Sequence, residues 1–100
     1  MADNSQKRSL EIKVEIDDVT AQGIYANLAF IAHSESEFTI DFIYVQPQGQ
    51  KAKVRARIIS SPGHTKRFLE ALQENVRKFE ESHGPITPSL GAERKPRFLS

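Results

Sequence analysis

The residues whose spacing carries the most chemistry are four cations, Lys51, Lys53, Arg55 and Arg57, set at every second position. Positions two apart share one face of a β-strand. Such a row can track a phosphate backbone, where release of condensed counterions drives binding. It lacks the interleaved exposed aromatics on which single-strand binders stack bases. The same row equally suits neutralisation by acids on neighbouring strands, or protection of a sheet edge from unwanted pairing. The histidines, His33, His64 and His83, are widely separated and follow no metal-ligand spacing. Cysteine is absent, which excludes disulfides, thiolate zinc sites and Cys nucleophiles. Asp17 and Asp18 are adjacent, so on a strand they point to opposite faces and cannot work as a paired acid and base. The chain contains no Gly-rich phosphate loop, no G-x-S-x-G and no H-E-x-x-H. No catalytic residue, metal site or cofactor is expected, and the chain is not expected to be an enzyme.

These groups sit on a chain of 100 residues, which is a single domain by size, with 38% hydrophobic and 27% charged residues. Met1 to Arg8 is charged with no apolar stretch behind it, which predicts no signal peptide and a cytoplasmic location. No apolar run approaches the roughly 20 residues needed to cross a bilayer, and no internal repeat is present. The net charge of +1 conceals a segregation. From Ser9 to Gln46 there are seven acids against one base, Lys13; from Lys51 to Arg67 there are six bases and no acid. Blocks of this kind either neutralise each other within the fold or face a partner.

Hydrophobic periodicity sets out the elements. Leu10, Ile12, Val14 and Ile16 alternate with Glu11, Lys13, Glu15 and Asp17, the pattern of a half-buried strand. A second strand is expected over Ile24 to Ala32, although Asp18 can alternatively cap a short helix running toward Leu28. A third strand follows the polar turn Ser34-Glu35-Ser36-Glu37 and runs from Phe38 to Val45, rich in β-branched and aromatic residues. Beyond the loop Pro47-Gln48-Gly49-Gln50, a fourth strand turns Ala52, Val54, Ala56 and Ile58 inward and the four cations outward. With Val45 opposite Lys51, Asp41 falls across from Arg55, a favourable opposite-charge pair. Ser60-Ser61-Pro62 starts a helix, with a serine as its N-cap and proline in its first turn. Phe68, Leu69, Leu72, Val76 and Phe79 make its apolar stripe, Lys66–Glu70 and Glu74–Lys78 are i,i+4 pairs, and His83-Gly84-Pro85 ends it. The rest reads as a flexible basic tail containing Arg94, Lys95 and Arg97.

The expected fold is α+β: a meander-like four-stranded antiparallel sheet followed by one long C-terminal helix packed on one face. Residues 1–8 are an expected flexible N-terminus, 9–84 the domain and 85–100 the tail. One helix covers one sheet face. Placing the even-numbered strand residues under it leaves Tyr25, Ile31, Ile43 and Val45 on the other, an apolar patch more often covered than left wet. That assignment requires an odd loop between the second and third strands, because a one-residue slip exchanges the faces. A homodimer or higher homo-oligomer interface, a groove for a protein partner, or a different register all accommodate the patch.

The segments Gly23-Ile24-Tyr25-Ala26-Asn27-Leu28-Ala29 and Ile31-Ala32-His33-Ser34 carry a resemblance, as does Glu37-Phe38-Thr39-Ile40-Asp41-Phe42-Ile43. It continues through Lys51-Ala52-Lys53-Val54, Arg57-Ile58-Ile59, Ser61-Pro62, His64 and Leu72-Gln73-Glu74-Asn75. Over roughly residues 10–84 the chain resembles a small uncharacterised prokaryotic family, domain-of-unknown-function family 3467. The resemblance implies no activity, so no catalytic role passes to any residue. Four antiparallel strands followed by a helix is also similar in plan to the bacterial export chaperone SecB, an analogy of fold that does not fix function. The reading is a non-enzymatic cytoplasmic binding or assembly module, homo-oligomeric through Tyr25, Ile31, Ile43 and Val45, with no membrane partner. One alternative is nucleic-acid binding through Lys51, Lys53, Arg55 and Arg57, and another is a SecB-like holdase.

Overall fold

The computed structural model describes residues 11–48 and 51–88, so the expected flexible N-terminus and the tail beyond residue 88 lie outside the described residues. The elements are a one-turn helix α1 (Asp18–Ala21), three strands β1 (Leu28–His33), β2 (Phe38–Val45) and β3 (Ala52–Ser60), and a long helix α2 (Pro62–His83). The strands form one antiparallel sheet in the order β1-β2-β3. The α+β class and the C-terminal helix follow the sequence reading, but the sheet has three strands rather than four. Residues 11–17 carry the strand alternation yet pair with no strand among the described residues, and all of them are exposed. Alternation predicts a face to bury and does not say which edge supplies the partner.

Asp17 starts α1. Its carboxylate accepts from the backbone N–H of Thr20 at 2.7 Å, satisfying a donor that the first turn leaves without an intrahelical partner. That hydrogen bond holds the carboxyl below its ordinary pKa. The helix considered from Asp18 toward Leu28 therefore exists for one turn only. The second strand starts later than expected, at Leu28, because Asn27 replaces strand pairing with a side-chain clamp. Its amide accepts from Val45 N–H at 2.9 Å and donates to Val45 C=O at 3.1 Å. Its own backbone N–H donates to the carbonyl of Ile43 at 3.0 Å.

The β1–β2 connection overturns the expected faces. Ser34 N–H donates to Glu37 C=O at 2.9 Å, and the Ser34 hydroxyl accepts from the backbone N–H of Ser36 and of Glu37. Only Glu35 and Ser36 remain as the turn. Leu28 is opposite Ile43, Phe30 opposite Asp41 and Ile31 opposite Ile40. Even-numbered residues of β1 therefore share a face with odd-numbered residues of β2, the exchange an even loop produces.

The β2–β3 register is also shifted. Val45 is opposite Ala52, not Lys51, and Asp41 is opposite Arg57, not Arg55. Phe42 pairs with Ala56 while the next residue, Ile43, pairs with Val54, leaving Arg55 as a one-residue bulge. A bulge swaps the alternation of one strand relative to the other. Ala52, Val54, Arg57 and Ile59 consequently share the face of Ile43, while Lys53, Ala56 and Ile58 share the face of Tyr44 and Ile40.

The core is confined to the central strand. Ile43 is 2% exposed and Ile40 7%, one on each face of the sheet, with Asp41 beside Ile43 at 2%. The helix does not pack on the sheet, contrary to expectation, and buries none of its residues. A single residue, Ser61, separates the end of β3 from the start of α2, which gives the chain no length in which to double back over its own strands.

Candidate interface

Locally, α2 is a well-specified helix. The Ser61 hydroxyl accepts from His64 N–H at 3.1 Å, and Pro62 occupies the first helical position. At the other end Gly84, with φ +96°, donates to Glu80 C=O at 2.8 Å, and the Glu80 carboxylate takes the backbone N–H of Ile86 at 2.9 Å. Of the two expected ion pairs, Glu74–Lys78 forms at 4.0 Å. Lys66 and Glu70 make none, and Arg77 instead bridges Glu74 and Glu81. The Arg77 guanidinium hydrogen-bonds the Glu74 carboxyl and keeps it below the ordinary pKa. Phe79 stacks on His83 with ring centroids 4.6 Å apart.

Among the described residues, α2 has no partner that buries its apolar face. Phe68, Leu69, Leu72, Val76 and Phe79 lie on one stripe and are each between 39% and 50% exposed. Fully burying such a side chain is worth roughly 1.5–3 kcal/mol, so covering the exposed half of five of them is worth about 5 kcal/mol. That is comparable with the whole stability of a small domain. The sheet is in the same position. Ile31, Ile58 and Ile59 are each about half exposed or more, and covering them would add burial that the three strands do not supply themselves.

The four sheet residues expected to make one patch are divided by the register. Ile31 lies on the face of Ile40, and Tyr25 packs edge-on against Tyr44 of that same face, ring centroids 6.0 Å apart. Ile43 and Val45 lie on the opposite face. There Ile43 is already buried, and the main chain of Val45 is held by Asn27. The face of Ile40 therefore brings together Tyr25, Tyr44, Ile31 and Ile58, two of which were not expected there.

The basic row is divided as well. Arg57 grips Asp41 in two parallel hydrogen bonds, Nε to Oδ1 at 2.7 Å and an Nη to Oδ2 at 2.9 Å. The hydrogen bond from Arg57, reinforced by its charge, holds the Asp41 carboxyl below the ordinary carboxylate range. Arg57 is thus committed within the sheet. Arg55 sits at the bulge, and Lys53 points to the other face from Arg57. Among the described residues Lys51, Lys53 and Arg55 make no ion pair. His33 stacks on Phe38 at the end of the β1–β2 hairpin, 5.4 Å between centroids. Among the described residues no three His, Asp or Glu side chains converge as a metal site, and no helix is long and apolar enough to cross a membrane.

Sequence reasoning missed the Asn27 clamp and the Arg55 bulge. An Asn between Ala26 and Leu28 was a signal for a polar interruption at the strand start. The doubled isoleucine Ile58-Ile59, with one on each face, was a weak signal that β3 does not have one uniformly wet side. A family model described as protein of unknown function (DUF3467) matches residues 1–88, so the chain belongs to that family. No curated protein and no solved structure matches it. The likeness of plan to SecB also loses its basis, since the sheet has three strands among the described residues.

Proposed function

We propose that this member of the DUF3467 family is a non-enzymatic assembly module whose core is completed by a second copy of the chain. The observation that carries the reading is α2: a capped helix of 22 residues with a continuous apolar stripe and no buried residue. A helix in a protein draws most of its stability from packing an amphipathic face, and its own sheet does not supply that packing. The sheet face of Tyr25, Tyr44, Ile31 and Ile58 is the complementary surface, apolar with Lys53 at its edge. Ile43 and Val45 belong to the part of the fold that each chain completes alone. Together these surfaces make an isologous interface, the commonest arrangement in homo-oligomers.

Light scattering on the purified full chain tests this. The expected mass is a multiple of the 11.3 kDa chain, falling to a single chain for Leu72→Glu, which places a charge in the middle of the stripe. A wild-type mass of one chain at micromolar concentration overturns the proposal.

A second reading rests on Lys51, Lys53 and Arg55, which lack an anionic partner among the described residues. If these three neutralise phosphates, nucleic-acid affinity falls with salt at a log–log slope of about −3. Absent or salt-insensitive binding removes that reading.

A further inference from the structure

We infer that residues 11–17 form the missing fourth strand on a neighbouring molecule, adding to the outer edge of β3 in a second copy of this chain. The inference rests on the self-association proposed above and specifies one of its contacts. Three observations lead to it. Ile12, Val14 and Ile16 alternate with charged residues as a strand does, yet they are 78%, 86% and 66% exposed and pair with no strand among the described residues. β3 is a nine-residue edge strand whose only described partner is β2, so a row of its N–H and C=O groups is available for an added strand.

Charge then selects between the two sheet edges. The segment presents Glu11, Glu15 and Asp17 against a single Lys13. β1, at the other edge, reads Leu-Ala-Phe-Ile-Ala-His and offers no cation apart from a titratable histidine. β3 and the residue before it offer Lys51, Lys53 and Arg55, while Arg57 is already taken by Asp41. Setting Glu11 and Glu15 on the face of Lys53 puts Ile12, Val14 and Ile16 on the face of Ala52 and Val54. The added strand then covers the edge of the side that holds Ile43. Exchange of the segment in both directions satisfies two copies equally, the low-cost route to a dimer that strand swapping provides. It also accounts for a four-strand pattern in a chain whose own sheet has three strands.

The chain has no cysteine, so single thiols report proximity cleanly. Full-length Val14→Cys and Ala52→Cys chains, both altered only at exposed positions that the arrangement puts on one face, are mixed in equal amounts and treated with a short bifunctional maleimide. The expected result is a covalent dimer containing one chain of each kind, well above the yield from either variant alone. In parallel, Glu15→Lys and Lys53→Glu each weaken association about five-fold by placing like charges opposite each other, and mixing the two recovers it. A cross-link confined to one chain in the doubly substituted protein overturns the inference. So does no cross-link while light scattering still gives a dimer, an outcome that leaves self-association through α2 standing. A single-chain mass for the unmodified protein overturns both.

Discussion

The hairpin sheet and the C-terminal helix are specified in opposite ways. In the sheet, long-range pairs do the work: Ile40 opposite Ile58, Ile43 opposite Val54, Asp41 bound to Arg57, and the Asn27 amide holding Val45 across 18 positions of sequence. Little of this is local, and the fully buried residues sit here. In α2 every stabilising contact is local: a serine cap, a glycine stop and carboxylate–guanidinium pairs three or four residues apart. Among the described residues nothing from another element buries any of it. Local contacts set where a helix begins and ends, but most of a helix's stability in a protein comes from burying its amphipathic face. The proposed association would bury the stripe of α2, which the chain's own sheet leaves exposed.

That contrast can be broken most severely in the sheet. Ile43→Ala empties the most buried position of the central strand, and the expected loss is about 2–5 kcal/mol, enough to abolish cooperative unfolding in urea. A loss below about 1 kcal/mol places the core elsewhere.

Acid probes the same region next. The pKa of Asp41 is lowered by Arg57, so the folded state binds fewer protons than the unfolded chain between the lowered value and the ordinary one near 3.9. The pair's stabilisation is therefore present above the ordinary value and is lost as the pH falls through the lowered one. Thermal melts between neutral pH and pH 2 are expected to show a falling midpoint in that window. The fall should be shallower in Asp41→Asn, and an identical profile for the variant removes the pair from the account. Raising salt sharpens the comparison, since the Arg77 pairs on the exposed helix are screened more than the pair whose carboxylate is buried.

The helix ends give the smallest effects. Ser61→Ala removes the cap and costs about 1 kcal/mol. Gly84→Ala costs about 1–3 kcal/mol, from backbone strain at φ +96° and ψ 169° alone, since no atom stands within 4 Å of where its Cβ would lie. Melts of both variants check these values. Changes of several kcal/mol at either position indicate that α2 is packed more tightly than its exposed stripe implies.

The parts of the structure legible in the sequence are those fixed by local rules. The Phe38 to Val45 strand, the Ser61 cap with Pro62 behind it and the stop at His83-Gly84 all depend on residues within a few positions of each other. The faces of the sheet were not legible, because each turns on a parity. A hydrogen bond between Ser34 and Glu37 makes the turn two residues rather than an odd number, and a bulge at Arg55 shifts β3 by one. The even turn parts Ile31 from Ile43, and the bulge together with the one-residue shift that pairs Val45 with Ala52 moves β3 by two, so Arg57 rather than Arg55 reaches Asp41. The helix stripe was legible as a stripe, but its partner was not. Period 3.6 identifies the side to be buried and carries no information about which molecule covers it.

Cover over the stripe is measured most directly by thiol labelling of a Leu72→Cys variant of the full chain, which carries no other cysteine. Leu72 is 49% exposed in the single chain. If a second copy covers it, labelling at micromolar concentration is slow and accelerates on dilution as the assembly dissociates. Fast labelling at every concentration, matching a cysteine placed at Lys66, contradicts the account.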